Sequence, residues 1–178
     1  MVNELAPKTS GNKIIMPQGG IIQVQYTQFT ATSTPSISAA TDTALTDLTV
    51  NITPASASSV IHLQAHILCE FGVDANTWEH IFFFYRDTTK LGHSAAGSRR
   101  TGISMATRTY MSADGNSTPE IARYDYFDTP ATTSTITYKC GIRVGNNDTL
   151  AINRTGLDID SGAYERGISF ISATEIAG

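Results

Sequence analysis

The chain of 178 residues carries 12 lysines and arginines against 16 aspartates and glutamates, which gives a formal net charge of −4. This length accommodates one domain with a sizeable core, and the acidic balance argues against nucleic-acid and membrane-surface binders, which need a basic face. Charged residues make up only 16% of the chain, while 16 serines and 25 threonines supply much of its polarity. Because threonine favours strands and serine favours turns, this composition favours an all-β fold.

The first nineteen residues differ from the rest of the chain. Residues 1–19 contain two prolines, two glycines and scattered polar side chains, with no sustained hydrophobic period. A segment of this kind builds little core of its own, so we interpret it as an extended N-terminal arm that is either disordered or ordered by a partner. Residues 20–178 are then expected to form the single folded domain.

From Gly20 onward, apolar residues alternate with polar ones in short segments separated by turn signals. The clearest segment is Ile61–Phe71, where every second residue from Ile61 is apolar, and Thr135–Val144 repeats the pattern. A period of two predicts strands with one buried face. Weaker alternation marks further candidate strands: Ile22–Tyr26, Leu48–Ile52, Ile103–Met105, Ile121–Phe127, Leu150–Ile152 and Ile168–Ile176. The sequence therefore predicts a sandwich or jelly roll of about 8–10 antiparallel strands with little helix.

The segment His80–Arg86 is apolar on both faces of its predicted strand. Ile81, Phe83 and Tyr85 lie on one face, and Phe82 and Phe84 lie on the other. Such a strand must be covered on both sides. One cover is the domain's own core, and a neighbouring copy of the chain is an economical second cover. We therefore take Phe82 and Phe84 as candidates for a subunit interface.

Metal and cofactor signals in the sequence are weak. His62 and His66 share a face of one predicted strand, but about 13 Å of backbone separates them. This distance is too long for both histidines to chelate one ion. Copies of one histidine could bind a metal together only if a symmetry axis brought them around it. Asp158 and Asp160 resemble the start of a calcium loop, but Ser169 stands where the EF-hand pattern requires glutamate. No Gly-rich phosphate loop is present. We predict no cofactor and no metal.

The sequence also gives little support to catalysis. It has no Gly-x-Ser-x-Gly motif. The two cysteines, Cys69 and Cys140, fall on the apolar sides of predicted strands. They are expected to be either two buried thiols or a disulfide. Four acids lie near loops or strand ends and remain available for acid–base chemistry: Asp74, Glu79, Asp114 and Asp125. We predict that the chain is not an enzyme.

Two features are typical of recognition surfaces on β scaffolds. Residues 86–100 form a long loop-like segment that holds four of the twelve basic residues. Recognition residues commonly lie in such loops, although a solvated loop is the simpler interpretation. Trp78, the only tryptophan, precedes the phenylalanine-rich strand, where it either stacks on a sugar ring or closes the end of the sandwich.

The domain is similar to jelly-roll domains of bacteriophage virion proteins, especially fibre and knob modules of marine and cyanobacterial tailed phages. The similarity covers most of residues 20–178 and rests on strand and turn patterns rather than on a catalytic signature. The stretches that carry it are 20–26 (Gly-Ile-Ile-Gln-Val-Gln-Tyr), 43–61, 84–92 (Phe-Tyr-Arg-Asp-Thr-Thr-Lys-Leu-Gly), 128–138 and 171–177.

This resemblance implies a jelly roll like that of the C1q/tumour-necrosis-factor group and a homotrimer. It also implies that residues 1–19 anchor the protein to another virion component, whether capsid, portal or tail. The expected function is a non-enzymatic tail fibre or head decoration that is made in the host cytoplasm, displayed on the particle and in contact with the host surface, including its glycans. The alternatives are a stand-alone carbohydrate-binding, C1q-like module and a glycan-cleaving enzyme. We expect no nucleic acid and no membrane insertion, since the densest apolar run, Ile81–Tyr85, is far below the roughly 20 residues of a spanning helix.

Overall fold

The computed structural model describes residues 16–72, 79–108 and 117–178, and within these ranges the chain forms strands and no helix. No described segment is therefore a helix that could span a membrane. The strands are β1 (Ile21–Phe29), β2 (Ser36–Ile37), β3 (Thr43–Ile52), β4 (Val60–Phe71), β5 (His80–Arg86), β6 (Thr89–Leu91), β7 (Thr107–Arg108), β8 (Glu120–Asp128), β9 (Ile136–Val144), β10 (Asp148–Ile152) and β11 (Ser169–Ile176). The predicted all-β fold is confirmed.

The strands form two antiparallel sheets that pack as a sandwich. The small sheet has the order β3-β9-β5-β6. In the large sheet, β4 is central: β11 and then β1 lie on one side, β8 and β7 lie on the other, and β10 with β2 continues beside the end of β4. The main pairs are nested, because β1 pairs with β11, β3 with β9, β4 with β8, and β5 with β6.

The two strands with the clearest alternation supply the centre of the core. β4 places Ile61, Leu63 and Ile67 inward without measurable exposure, and β9 does the same with Tyr138 and Ile142. The sequence predictions for these two strands agree with the structure to within one residue. Because successive side chains of a strand point to opposite faces, burying one set leaves His62, Gln64 and His66 on the outer face of the large sheet.

The interface prediction for Phe82 and Phe84 is wrong. Both side chains are 0% exposed in the single chain, where they pack in the core of the sandwich against Tyr124 of β8. They therefore have no surface with which to contact a second copy. β5 is apolar on both faces, as the sequence indicates. The face that carries Phe82 and Phe84 is covered by the domain's own core.

The opposite face of β5 is also covered by the chain itself. Phe83 lies over Gly141 of β9, where a Cβ would approach the Phe83 ring to 2.5 Å, and the Lys90 ammonium lies 4.1 Å from the centre of that ring. Ile81 packs against Gly102, whose segment bonds to the edge of β5 through the Phe82 amide and the Ser104 carbonyl. The space above Gly141, the Lys90 side chain and the segment around Gly102 thus provide the second layer that the sequence alone predicts from another subunit.

Backbone hydrogen bonds join the start of the described chain to its end. The Gly19 amide donates to the Ala177 carbonyl at 2.8 Å, and the Ala177 amide donates to the Gly20 carbonyl at 2.9 Å. The backbone pairing of β1 with β11 therefore extends to Gly19. Residues 1–15 of the predicted arm lie outside the described residues.

β10 and β11 behave as one strand interrupted by an excursion of residues 153–168. Both pair with the same side of β4, β10 near its end and β11 along its first half. Asn153 makes the corner in a left-handed conformation with φ of 63°. Its buried amide donates to the carbonyls of Phe29 and Ala31, both at 2.7 Å, and accepts from the Ser169 hydroxyl at 2.6 Å. These bonds close the two ends of the excursion against the end of β1.

Cys69 and Cys140 are free thiols on the core faces of β4 and β9. Burial raises the pKa of Cys140 to about 12, and it raises the pKa of Cys69 well above its ordinary value. Since the thiolate is the nucleophilic form, neither cysteine is a reactive group at neutral pH.

Candidate functional site

The outer face of the large sheet carries exposed aromatic side chains. We call this surface the aromatic face and define it by Tyr26 of β1, Phe170 of β11, His62 and His66 of β4, and Phe127 of β8. Tyr26 is 69% exposed and Phe127 is 57% exposed. Single exposed apolar residues are ordinary, but here exposed or half-buried rings occur on the same outer face of four neighbouring strands.

Stacking holds the histidines of the aromatic face in place. The rings of His62 and Phe127 are directly opposite in the β4–β8 register, with centroids 4.2 Å apart and planes 7° from parallel. His66 stacks on Phe170 of β11 with centroids 5.8 Å apart. Burial, followed by the charge of Arg123, lowers the pKa of His66, so this ring is neutral at physiological pH.

The two histidines engage different neighbours, as the strand spacing predicts. His62 Nε2 lies 3.6 Å from an Asp125 carboxylate oxygen, and within the described ranges no group of three or more His, Cys, Asp or Glu side chains is placed to hold a metal ion. The aromatic face carries both signs of charge, because Arg123 and Asp125 lie on it as successive outward residues of β8. The aromatic face therefore combines exposed rings with charges of both signs.

The outer face of the small sheet has a different character. Lys90 of β6 and Arg143 of β9 both reach the same Asp42 carboxylate oxygen, at 2.9 Å and 3.2 Å. Segment 92–101 folds over them and adds Arg99 and Arg100, which leaves an open pocket of about 400 Å³ between the segment and the sheet. We call this cavity the loop pocket.

Asp158, the first residue of the calcium-loop-like sequence, forms ion pairs with two arginines. Asp158 accepts from Nε and Nη2 of Arg166, both at 2.7 Å, and lies 3.5 Å from Nη1 of Arg154. Asp160 is exposed two residues further along the excursion. The carboxylate that the spacing singled out is thus used to brace the loop of residues 153–168.

The acids considered for catalysis are not brought together. Glu79 forms an ion pair of 2.9 Å with Arg100 beside the small sheet, whereas Asp125 lies on the outer face of the large sheet. The sandwich separates these two carboxylates. Asp74, Asp114 and Trp78 lie outside the described residues.

No protein-family model and no curated protein matches the chain. The functional interpretation therefore depends on the strand pairing and on the two outer faces of the sandwich.

Sequence reasoning identified part of each surface. It placed His62 and His66 together on one strand face, and it singled out the basic segment 86–100 that contributes to the loop pocket. It did not select Tyr26, Phe127 or Phe170 as surface residues. The alternation in Ile22–Tyr26 and Ile168–Ile176 predicts that Tyr26 and Phe170 face the core, but both lie on the outer face, so alternation alone does not show which side of these strands is buried. The register with β4 decides that question, and single strands do not contain it.

Proposed function

We propose that the chain is a non-enzymatic structural protein of a bacteriophage particle, a homotrimeric knob that contacts the host surface. Three copies associate through the aromatic face, and residues 1–19 anchor the knob to another virion protein. The exposed aromatic face is the observation that carries this proposal, because it gives a second copy a surface to bind.

The strand pairing supports a jelly roll within the sandwich. A jelly roll can be described as a long antiparallel hairpin of four strand pairs that is rolled up. In such a hairpin the first strand pairs with the last, the second strand pairs with the next to last, and the same rule holds for the inner strands. The pairs β1–β11, β3–β9, β4–β8 and β5–β6 follow this rule. Jelly rolls are common in viral capsid proteins, and the sequence resemblance to phage knob modules points to the same assignment.

The composition of the aromatic face favours a copy of the same chain as its partner. Interface cores are enriched in aromatic residues and depleted of charge. Tyr26 on β1 and Phe127 on β8 provide exposed rings toward the two sides of the face, and Phe170 on β11 lies between them. The opposite charges of Arg123 and Asp125 allow one part of the face to meet another part on a neighbouring copy without net repulsion. Ile21 and Ile168 extend the exposed apolar area at its ends.

The assembly test is the mass in solution of the wild-type chain and of Phe127→Asp. We expect a wild-type mass three times the chain mass of 19.1 kDa. A buried interface aromatic contributes about 2 kcal/mol or more, so an aspartate in each of three contacts should leave the variant monomeric at low micromolar concentration. Multi-angle light scattering and sedimentation velocity measure both.

Leu157→Asp is the matched control, since Leu157 is also an exposed apolar residue but lines a cavity with Glu70 near the end of β4, whereas Phe127 lies opposite His62 near its start. This variant should remain trimeric. A monomeric wild-type chain at high micromolar concentration, or a trimer that Phe127→Asp leaves intact, would show that the aromatic face is not the assembly surface.

The virion assignment is tested by cross-linking mass spectrometry on purified particles. We expect Lys8 or Lys13 in the arm to cross-link to a capsid, portal or tail protein. Absence of the chain from particles, together with tight glycan binding by residues 20–178 alone, would favour the stand-alone carbohydrate-binding module instead.

A further inference from the structure

The loop pocket concentrates positive charge on an acidic protein. Four cations line it, from Lys90, Arg99, Arg100 and Arg143, and the carboxylates that pair with them are Asp42 and Glu79. The pocket therefore has a formal excess of two positive charges, although the whole chain has a net charge of −4. A concave site with this sign concentrates anions near its opening.

The cations differ in how fully they are already paired. Arg100 forms an ion pair with Glu79, whereas Lys90 and Arg143 share the single negative charge of Asp42. Arg99 donates to the Ala96 carbonyl at 3.3 Å and has no carboxylate partner among the residues that the structure describes. Its planar guanidinium keeps donors available for a bidentate contact with a carboxylate or phosphate group.

The remaining lining favours a ligand with many hydroxyls over a flat apolar one. Ser94 and Thr101 contribute hydroxyl side chains, His93 contributes an imidazole, and the other lining residues of segment 92–97 are glycine and alanine. The volume of about 400 Å³ lies within the range of ligand pockets, about 300–1,000 Å³. Anionic groups on a small polar ring satisfy both the charge and the hydroxyl lining.

The pocket also stays accessible in the proposed assembly. The aromatic face is the outer side of the large sheet, and the loop pocket lies on the outer side of the small sheet, which is the opposite side of the sandwich. A trimer formed through the aromatic face would therefore carry three outward-facing pockets. Simultaneous use of three weak sites on one surface raises the overall affinity without new contacts.

We propose that the loop pocket binds an acidic sugar of the host surface, with the carboxylate or phosphate of that sugar held by Arg99 and by the Lys90–Arg143 pair. This inference rests on the proposed host-contact function and specifies the chemical class of the receptor. Arg99 provides the bidentate contact, and Lys90 and Arg143 add charge that the shared Asp42 does not fully neutralise.

Calorimetric titration of the full chain tests the proposal with three probes: a tetragalacturonate, a neutral tetrasaccharide of the same length, and a hexose 6-phosphate. We expect the tetragalacturonate or the hexose phosphate to bind at least about tenfold more tightly than the neutral sugar, because charge-assisted hydrogen bonds are made only to the anion. Arg99→Gln should weaken that binding about tenfold, and raising the salt concentration should weaken it further. Preference between the two acidic probes distinguishes a uronate receptor from a phosphorylated one.

Lys139→Gln is the matched control, because Lys139 lies on the same outer face of β9 but does not line the pocket. It should leave the affinity unchanged, and the melting temperature of Arg99→Gln should equal that of the wild type, since Arg99 lies on an exposed loop. Equal binding of acidic and neutral sugars, no binding of either acidic probe, or equal losses in the two variants would overturn the proposal. Light scattering on the same samples keeps the outcomes separate: a trimer without acidic-sugar binding refutes only the pocket, and a monomer refutes the assembly.

Discussion

Asp128→Asn is expected to lower the free energy of unfolding by about 3 kcal/mol, the lower end of the loss that follows removal of one partner of a buried ion pair, because the Asp128 side chain is 7% exposed and that of Arg86 is 29% exposed. Asp128 is a buried residue at the end of β8 that accepts from Arg86 Nη1 through both oxygens, at 2.8 Å and 3.1 Å, and from the Tyr138 hydroxyl at 2.6 Å. Arg86 ends β5 and Tyr138 lies on β9, so this carboxylate ties the large sheet to the small one. Asparagine keeps the shape of aspartate but leaves the arginine charge uncompensated.

Thermal unfolding at fixed protein concentration measures the effect of Asp128→Asn. A loss of this size corresponds to a fall in Tm of about 6–12 °C for a chain of this length. Asp160→Asn, the same substitution at an exposed aspartate, should change Tm by less than about 2 °C. Equal shifts in the two variants would contradict a structural role for the contacts between Arg86, Asp128 and Tyr138.

Glu175→Gln is expected to destabilise the fold by about 2 kcal/mol at neutral pH. The substitution replaces a charged carboxylate, which accepts hydrogen bonds through both oxygens, with an amide whose NH2 group faces a hydrogen-bond donor. Glu175 is fully buried in β11 and accepts from Gln23 Nε2 at 2.6 Å, the Ala55 amide at 2.7 Å and the Ser59 hydroxyl at 2.7 Å. Burial alone would raise the pKa of Glu175, but the hydrogen bonds from Gln23, Ser59 and Ala55 lower it below its ordinary value of 4.5.

The pH dependence of this effect has a definite sign. A carboxylate whose pKa is lowered by folding contributes stability that is fully present above its unfolded pKa and is lost as the pH falls through the folded pKa. The difference between wild type and Glu175→Gln should therefore be constant above about pH 5 and should narrow below pH 4.5. Glu165→Gln, at an exposed glutamate, should show neither the loss nor the trend. A gap that widens with falling pH would rule out this account of Glu175.

The parts of the fold that could be predicted from the sequence are those in which local pattern and burial agree. β4 and β9 alternate strictly because each has one face in the core, so their bounds and inward residues follow from the period alone. The all-β class followed from composition and turn spacing. These features depend on neighbours within one strand, which the sequence displays directly.

The residues that cover the outer face of β5 could not be predicted from the sequence. The two apolar faces of β5 correctly required two covering layers, but the choice of cover depended on residues distant in the chain. Gly141, across the β5–β9 pair, leaves the space that the Phe83 ring fills, and Lys90 covers the same ring from β6. A glycine within an alternating strand carries no local sign that it lies beneath an aromatic ring, so the second layer was assigned to another subunit.

The loop pocket lies between these cases. Four basic residues in segment 86–100 indicated a recognition loop, and two of them, Arg99 and Arg100, line the pocket from that loop. Asp42 and Arg143 come from sequence positions about fifty residues away on either side, and they are joined to Lys90 only by the strand order β3-β9-β5-β6. The charge of the site was visible in the sequence, but its concave shape was not.

The pairing between Gly19 and Ala177 has a consequence for how the domain is oriented. The chain enters β1 and leaves β11 at the same pole of the sandwich, where the Ser58 hydroxyl also donates to the Gly178 carbonyl. A knob tethered through its first residues would hold its last residues next to the tether and turn the excursion of residues 153–168 toward the far pole. Foreign peptides spliced into that excursion would stand farthest from the point of attachment, whereas a peptide spliced in beside Ala177 would lie next to it.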